Sequence, residues 1–310
     1  MANVSVTENV AVELNEASKP SIPTGTAVFL FILNVFLSIT ASLGNSLILV
    51  ALHKETSLHP PTKLLFRCLA ITDLCVGVIT QPLFAVFLFS SVTNEMNWKV
   101  TIYINMLCTA SSFVLCPVSI VTSSAISLDR LVALLSGLRY RLVITLTRIR
   151  AVIICFWLIG ISTGSIYFWS NGISFSVSFL FIIFSLTTSF FFYSTIYFKL
   201  RRHRLQMSSL TQGQPNDGVP LNIARYKNSV SSAVWVQVAL LICYIPLPVV
   251  VMLVAYGQIP ESQSEIAFYV ARNFVYLNSS LNPILYCWRM RTVRQEAKNT
   301  IKQLNCCKSA

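Results

Sequence analysis

The sequence predicts an all-α membrane protein, a seven-transmembrane helix bundle with a short amphipathic eighth helix, and three observations carry that prediction. Of 310 residues, 55% are hydrophobic and only 11% charged, far from the profile of a soluble domain. Apolar segments long enough to span a bilayer recur at 26–52, 64–91, 102–131, 149–169, 173–199, 229–256 and 266–287. The cations are also unevenly placed. Lys19, Lys99 and Arg272 stand in the amino-terminal tail and the even-numbered gaps, and the remaining 20 of 23 Lys and Arg fall in the odd gaps, helix ends or carboxyl-terminal tail. By the positive-inside rule the amino terminus is expected outside and the carboxyl terminus in the cytosol. The net charge of +12 then describes an inner face against anionic lipid, not a nucleic-acid binder.

The organisation follows directly. Residues 1–25 form an extracellular tail, 26–287 the membrane domain, and 288–310 an amphipathic helix and cytoplasmic tail, with gaps too short for a second soluble domain. No basic start followed by a short apolar run precedes residue 25, so the first span is expected to act as its own signal anchor. Asn3-Val4-Ser5 is a glycosylation acceptor in the outer tail, whereas Asn278-Ser279-Ser280 fits the pattern inside a membrane segment where no glycan can sit. None of the nine cysteines lies in the outer tail or the second and third outer gaps, so Cys108 has no outside disulfide partner. Cys306-Cys307 follow a basic stretch and are palmitoylation candidates.

The first segment carries Gly44-Asn45, and the second Leu69-Ala70-Ile71-Thr72-Asp73. A carboxylate at mid-membrane costs about 2.5 kcal/mol or more unless it faces polar partners, so Asp73 is a functional candidate. Asn45, Ser119, Asn278 and Asn282 lie at compatible depth, and hard oxygens grouped around one carboxylate suit a small cation such as sodium. The third segment ends Ser127-Leu128-Asp129-Arg130-Leu131, followed by Ser136-Gly137-Leu138-Arg139-Tyr140. The fourth contributes Trp157, which could equally be a lipid-facing anchor. The fifth runs Tyr193-Ser194-Thr195-Ile196-Tyr197 into Arg201-Arg202-His203-Arg204, with Ser185 near its middle. The sixth holds Cys243-Tyr244-Ile245-Pro246, and the seventh ends Ser279-Ser280-Leu281-Asn282-Pro283-Ile284-Leu285-Tyr286. Pro283 removes a backbone hydrogen bond and kinks its helix; the freed carbonyl needs a partner, and the Asn282 side chain is expected to supply it. Over 288–303, Arg289, Arg294, Lys298 and Lys302 alternate with Trp288, Val293, Ala297 and Ile301, an amphipathic pattern for the inner leaflet.

This ordered series, from Gly44 to Cys307, resembles the rhodopsin-like (class A) G-protein-coupled receptors. Asn282-Pro283-x-x-Tyr286 is similar to the family's Asn-Pro-x-x-Tyr, Asp129-Arg130-Leu131 to its Asp-Arg-Tyr with leucine for tyrosine, and Cys243-Tyr244-Ile245-Pro246 to its Cys-Trp-x-Pro with tyrosine for tryptophan. The resemblance implies an extracellular ligand, a heterotrimeric G protein and arrestin as partners, and an activation switch of Asp129, Arg130, Tyr193, Tyr244, Pro246, Asn282, Pro283 and Tyr286. It also implies a sodium site at Asp73, Ser119, Asn278 and Asn282. Asn105 falls where a disulfide cysteine normally sits, and the outer loop at about 170–174 is short. Trp98 matches the family's first outer loop, but those departures resemble the melanocortin receptors and, in part, the lysophospholipid and cannabinoid groups; with Leu83, Asn105 and Thr109 replacing the melanocortin acid cluster, the chain is identified with a melanocortin- and adenosine-like branch.

The resemblance places the ligand pocket at Phe84, Phe87, Ser112, Phe113, Cys116, Tyr244, Val251, Phe268, Arg272 and Tyr276. Ser112 stands where amine receptors have aspartate, and Tyr276 where opsins carry lysine, so neither a monoamine nor retinal is expected. A mostly apolar lining suits a small neutral or lipid-like ligand, with Arg272 either pairing a carboxylate or phosphate or snorkelling outward. The alternative is a multi-pass transporter or channel, which predicts inverted repeats and several intramembrane charges; only Asp73 is deeply placed. No enzyme motif of the Gly-x-Ser-x-Gly or paired-carboxylate kind is present, and His53, His59 and His203 all lie in inner loops.

Arg225, Tyr226 and Lys227 stand where the family has an acid facing the inner end of the third helix. We therefore expect appreciable basal second-messenger output from transfected cells. Output equal to that of untransfected cells, with the chain shown at the surface, would refute it.

Overall fold

In hydrocarbon an unpaired backbone amide has no water to turn to, so each apolar segment closes its hydrogen bonds on itself as a helix. The computed structural model describes residues 22–56, 58–93, 96–136, 139–169, 171–211, 238–289, 294–296 and 298–299. Helix α1 spans Thr24–Lys54, α2 Pro60–Thr93, α3 Trp98–Ser136, α4 Leu146–Tyr167, α5 Asn171–Thr211, α6 Val238–Ala255 and α7 Glu261–Arg289. A one-turn helix, Tyr140–Val143, joins α3 to α4. Among the described residues there is no strand.

Five of these helices, α1 to α4 and α6, are long and apolar enough to cross a membrane. In α5 the apolar stretch is Ser176–Phe192, and the helix runs well past the expected end at 199. Helix α7 is long but less apolar, because Asn273, Asn278, Ser279, Ser280 and Asn282 all turn inward and are buried. Of the expected amphipathic helix at 288–303, residues 294–296 and 298–299 are helical; its remainder beyond Arg289, with Cys306 and Cys307, lies outside the described residues.

Helix α3 lies against α2, α4 and α5, while α1 packs on α2 and α7, and α6 on α7. Gly160 and Gly164 in α4 make the α3 contact possible. A Cβ on Gly160 would lie 2.7 Å from Val118 Cγ2 and 2.8 Å from the Val114 carbonyl oxygen, so two small residues four apart let the backbones close. Large apolar side chains cover the outside instead: Phe29, Ile32, Phe36 and Leu43 on α1, Leu158 and Ile161 on α4, and Phe184 and Phe191 on α5 are all exposed. A polar interior with an apolar exterior is the arrangement lipid requires, and the chain is a multi-pass membrane protein.

Helix α2 is interrupted by a π-helical turn at Val76–Thr80, three residues beyond Asp73. Two α1 side chains meet the carbonyls there: Ser38 Oγ donates to Gly77 O at 2.7 Å and Asn34 Nδ2 to Gln81 O at 2.6 Å. The polar positions 34 and 38, one turn apart on α1, are the sequence sign of this contact.

Gly160→Ala is expected to lower the unfolding temperature of the purified chain, since overpacking against a backbone oxygen costs about 1–3 kcal/mol. Gly25→Ala, with nothing within 4 Å of the added carbon, is the control and should leave it unchanged.

Candidate functional site

Pro283 has no amide proton, so the carbonyl four residues back, that of Ser279, loses its helical donor. Its partner comes from another helix. Asn45 Nδ2 donates to Ser279 O at 3.0 Å and to Ala41 O at 2.8 Å. The sequence expectation assigned that task to Asn282, and the structure corrects it: Asn282 Nδ2 donates to Asp73 Oδ2 at 2.6 Å. The neighbouring Gly44 makes room for the proline ring, because a Cβ there would lie 2.8 Å from Pro283 Cγ. Gly44-Asn45 on α1 is thus the complement of Asn282-Pro283 on α7.

Asp73 is fully buried and surrounded by donors. Ser119 Oγ and Ser279 Oγ each donate to Oδ1 at 2.9 Å, opposite the Asn282 bond to Oδ2. Asn278 joins one step out, its Nδ2 donating to Ser119 Oγ and to the Tyr244 hydroxyl, both at 3.4 Å. Of the four expected partners, Asn282 and Ser119 touch the carboxyl, Asn278 reaches it through Ser119, and Asn45 reaches it only through the Ser279 backbone. Ser279 was not singled out in sequence. Its position one helical turn before Pro283, on the face it shares with Asn282, is the signal that could have found it.

Tyr244 connects this cluster to a cavity of about 440 Å³ between α3, α5, α6 and α7, with Tyr167 of α4 at its side. Of the expected lining, Ser112, Phe113, Cys116, Tyr244, Val251, Phe268, Arg272 and Tyr276 face the cavity. Phe84 and Phe87 do not. They are buried behind the wall, with Phe84 packed 5.8 Å from both the Tyr269 and Tyr276 rings and Phe87 5.6 Å from Tyr269. Asn105, Thr109, Ser178, Ile182 and Glu265 also line the space and were missed, because the α3 and α5 residues sit a turn or more from any motif. Tyr276 is fixed by a 2.8 Å hydrogen bond between its hydroxyl and that of Ser112. Cys108 is a free thiol, as expected, 3.7 Å from the same hydroxyl.

The end of the bundle carrying Lys54, Arg130 and Arg148 is built around Asp129, which is 1% exposed. The Tyr140 hydroxyl donates to Oδ1 at 2.6 Å, and Thr62 Oγ1 donates to Oδ2 at 3.0 Å. Burial, with the carboxylate it bonds, pushes the Tyr140 phenol up to about 12. Arg130 Nε lies 3.8 Å from Oδ2, at the long end of an ion pair, with its side chain 35% exposed. Its guanidinium also sits 5.6 Å from the centroid of Phe66, and Phe66 meets Tyr286 edge-on at 5.1 Å. The Phe66 ring therefore lies between the α3 arginine and the α7 tyrosine. Trp157 packs inward against the cluster around Leu115 and Tyr276, so it is not a lipid-facing anchor. Pro246 begins the second half of α6. The side chains of Tyr193 and Trp98, together with Asn3 and 225–227, lie outside the described residues.

A family model described as "7 transmembrane receptor (rhodopsin family)" matches residues 44–172 and 163–286. The chain belongs to that family. It is 22% identical to an adenosine receptor A3 of Ovis aries over 87% of this chain and 88% of the relative. It is 24% identical to a melanocortin receptor 4 of Danio rerio over 87% of this chain and 82% of the relative. A 5-hydroxytryptamine receptor 1B of Vulpes vulpes is 28% identical over 46% of this chain and 36% of its own length. The chain is accordingly a rhodopsin-like G-protein-coupled receptor, which favours that reading over a transporter or channel.

Ser279→Ala removes one of three hydrogen bonds to a fully buried carboxyl, a loss of about 1.5–3 kcal/mol. The unfolding temperature of the purified receptor should fall, and an unchanged value would show that the bond contributes nothing.

Proposed function

We propose that this receptor sits in the plasma membrane with its amino terminus outside, binds a small, largely apolar extracellular ligand in the 440 Å³ cavity, and activates a heterotrimeric G protein at its basic end. Arrestin would meet the same face. The observation that carries the reading is the hydrogen-bonded chain from cavity to kink. Tyr244, a cavity wall, accepts from Asn278; Asn278 bonds Ser119; Ser119 and Asn282 both bond Asp73. A ligand that favours one arrangement of Tyr244 thereby biases the helix α7 bend, and it does so only through differential affinity for the two states.

At the basic end, the network of Asp129, Tyr140 and Thr62 is the resting restraint, with Arg130 held against Phe66. Activation would turn Arg130 toward α5 and the G protein, with Tyr193 and Tyr286 meeting behind it. The orientation rests on the charge asymmetry, since the basic end faces anionic lipid when the carboxyl terminus is cytosolic. No enzymatic step is part of this reading.

The residues around Asp73 also fit a sodium ion. One carboxyl and the Ser119 and Ser279 hydroxyls converge there, and Asn278 and Asn282 can present amide oxygens by rotation of their side chains. Such hard-oxygen donors suit sodium, and the bound ion would supply a positive charge beside Asp73.

Signalling is tested in transfected cells by cyclic AMP and calcium, for the wild type, Arg130→Ala and Tyr140→Phe. Basal or ligand-evoked signal should vanish in Arg130→Ala. In Tyr140→Phe it should rise, because Asp129 loses its shortest bond. A surface-expressed Arg130→Ala receptor signalling at wild-type level would overturn the proposal.

A further inference from the structure

The cavity wall contains a cation that the protein itself does not fully satisfy. Arg272 of α7 points into the bundle: its Nη2 donates to Thr109 Oγ1 at 3.3 Å, and its guanidinium lies 5.4 Å from the Phe84 centroid. Nη1 is shielded from solvent and has no hydrogen-bond partner. This is not a side chain snorkelling outward. Two more residues that line the cavity carry a shielded polar atom without a hydrogen-bond partner, Asn105 Oδ1 on α3 and Ser178 Oγ on α5. Buried polar groups are nearly always paired, so three orphans around one cavity mark where a ligand's polar group belongs.

Charge narrows the class. The guanidinium is half-buried with its Nη1 out of water, and the groups around it are neutral, a burial cost that an anion relieves best. Among the described residues Glu265 is the one carboxylate lining the cavity. It lies seven residues, about 10 Å of helix rise, toward the Glu261 end and is exposed at the rim. It does not occupy Nη1. Much of the rest of the wall is apolar, with Phe113, Ile182, Leu247, Val251 and Val275, and the polar groups beside them, such as the hydroxyls of Ser112, Tyr244 and Tyr276, are neutral. Asn105, one turn from Thr109 on α3, can turn either end of its amide toward a headgroup.

We propose that the ligand is an anionic amphiphile, with a carboxylate or phosphate head on Arg272 Nη1 beside Asn105 and Ser178, and an apolar tail along the α3, α5 and α6 walls. Between the two ligand types that the sequence left open, neutral or lipid-like, the buried guanidinium selects lipid-like. The inference rests on the receptor reading for what occupancy does, but binding itself can be measured without any G protein.

The test uses the purified full chain in nanodiscs of neutral lipid, titrated with decanoate, decyl phosphate, decanol and decylamine while the unfolding temperature is followed. Decanoate or decyl phosphate should raise it saturably and decanol and decylamine should not; the stronger of the two anions identifies the head. Arg272→Gln should weaken that anion by about 100-fold, the usual consequence of truncating a buried charge partner, and Arg272→Lys should retain part of the affinity. Arg272→Gln should also unfold no earlier than wild type without ligand, which a purely structural arginine would not allow. Equal stabilisation by decanol and decanoate, no shift with either anion, or wild-type anion affinity in Arg272→Gln would each overturn the proposal. The comparison of headgroups on the wild type stands even if a variant fails to fold. Anion-selective binding without G-protein activation would sink the receptor reading and leave the ligand class. Activation by decanol as readily as by decanoate would do the reverse.

Discussion

A proline within α7 leaves one carbonyl without a donor in a medium that offers no water, and much of the bundle is arranged around that deficit. Asn45 of α1 takes the Ser279 carbonyl, and Gly44 gives up its side chain so that the Pro283 ring can approach. Because Asn45 does this, Asn282 is released to bond Asp73. The kink, the buried carboxyl and the α1–α7 contact are therefore one construction. An amide or carbonyl left alone there would cost about 1–3 kcal/mol.

From that construction polar contacts run in one direction, through Ser119 and Asn278 to the Tyr244 hydroxyl at the cavity wall. Apolar contacts run in the other, from Tyr286 to Phe66 and the Arg130 guanidinium. Cavity and basic end thus share a helix whose bend is set by a few weak bonds. The 3.4 Å Asn278 contacts and the long 3.8 Å Asp129–Arg130 pair are its soft joints. The short bonds to Asp129 and Asp73 are its firm ones.

Asp73 and Arg272 are treated differently. Asp73 is surrounded by three donors from α3 and α7, while Arg272 has one hydroxyl and an aromatic face. A complete shell serves the fold; an incomplete one facing a cavity leaves work for a ligand.

The sequence by itself determined the helical class and the positions of the first four spans and the seventh to within about five residues, and it singled out Asp73, Asp129-Arg130 and Asn282-Pro283. In lipid, apolar run length and the scarcity of charges leave few other structures open. The motif residues were legible because each is a polar or helix-breaking residue in an apolar run, and the ordered series carried the family. What only the tertiary structure decided were the pairings: Asn45 rather than Asn282 on the freed carbonyl, Ser279 as an Asp73 donor, Phe84 and Phe87 behind the cavity wall, and Arg272 turned inward. Helical spacing fixes which face a residue occupies, but not how helices rotate against one another. The polar partners of an interior side chain come from whichever neighbour that rotation brings within about 3 Å.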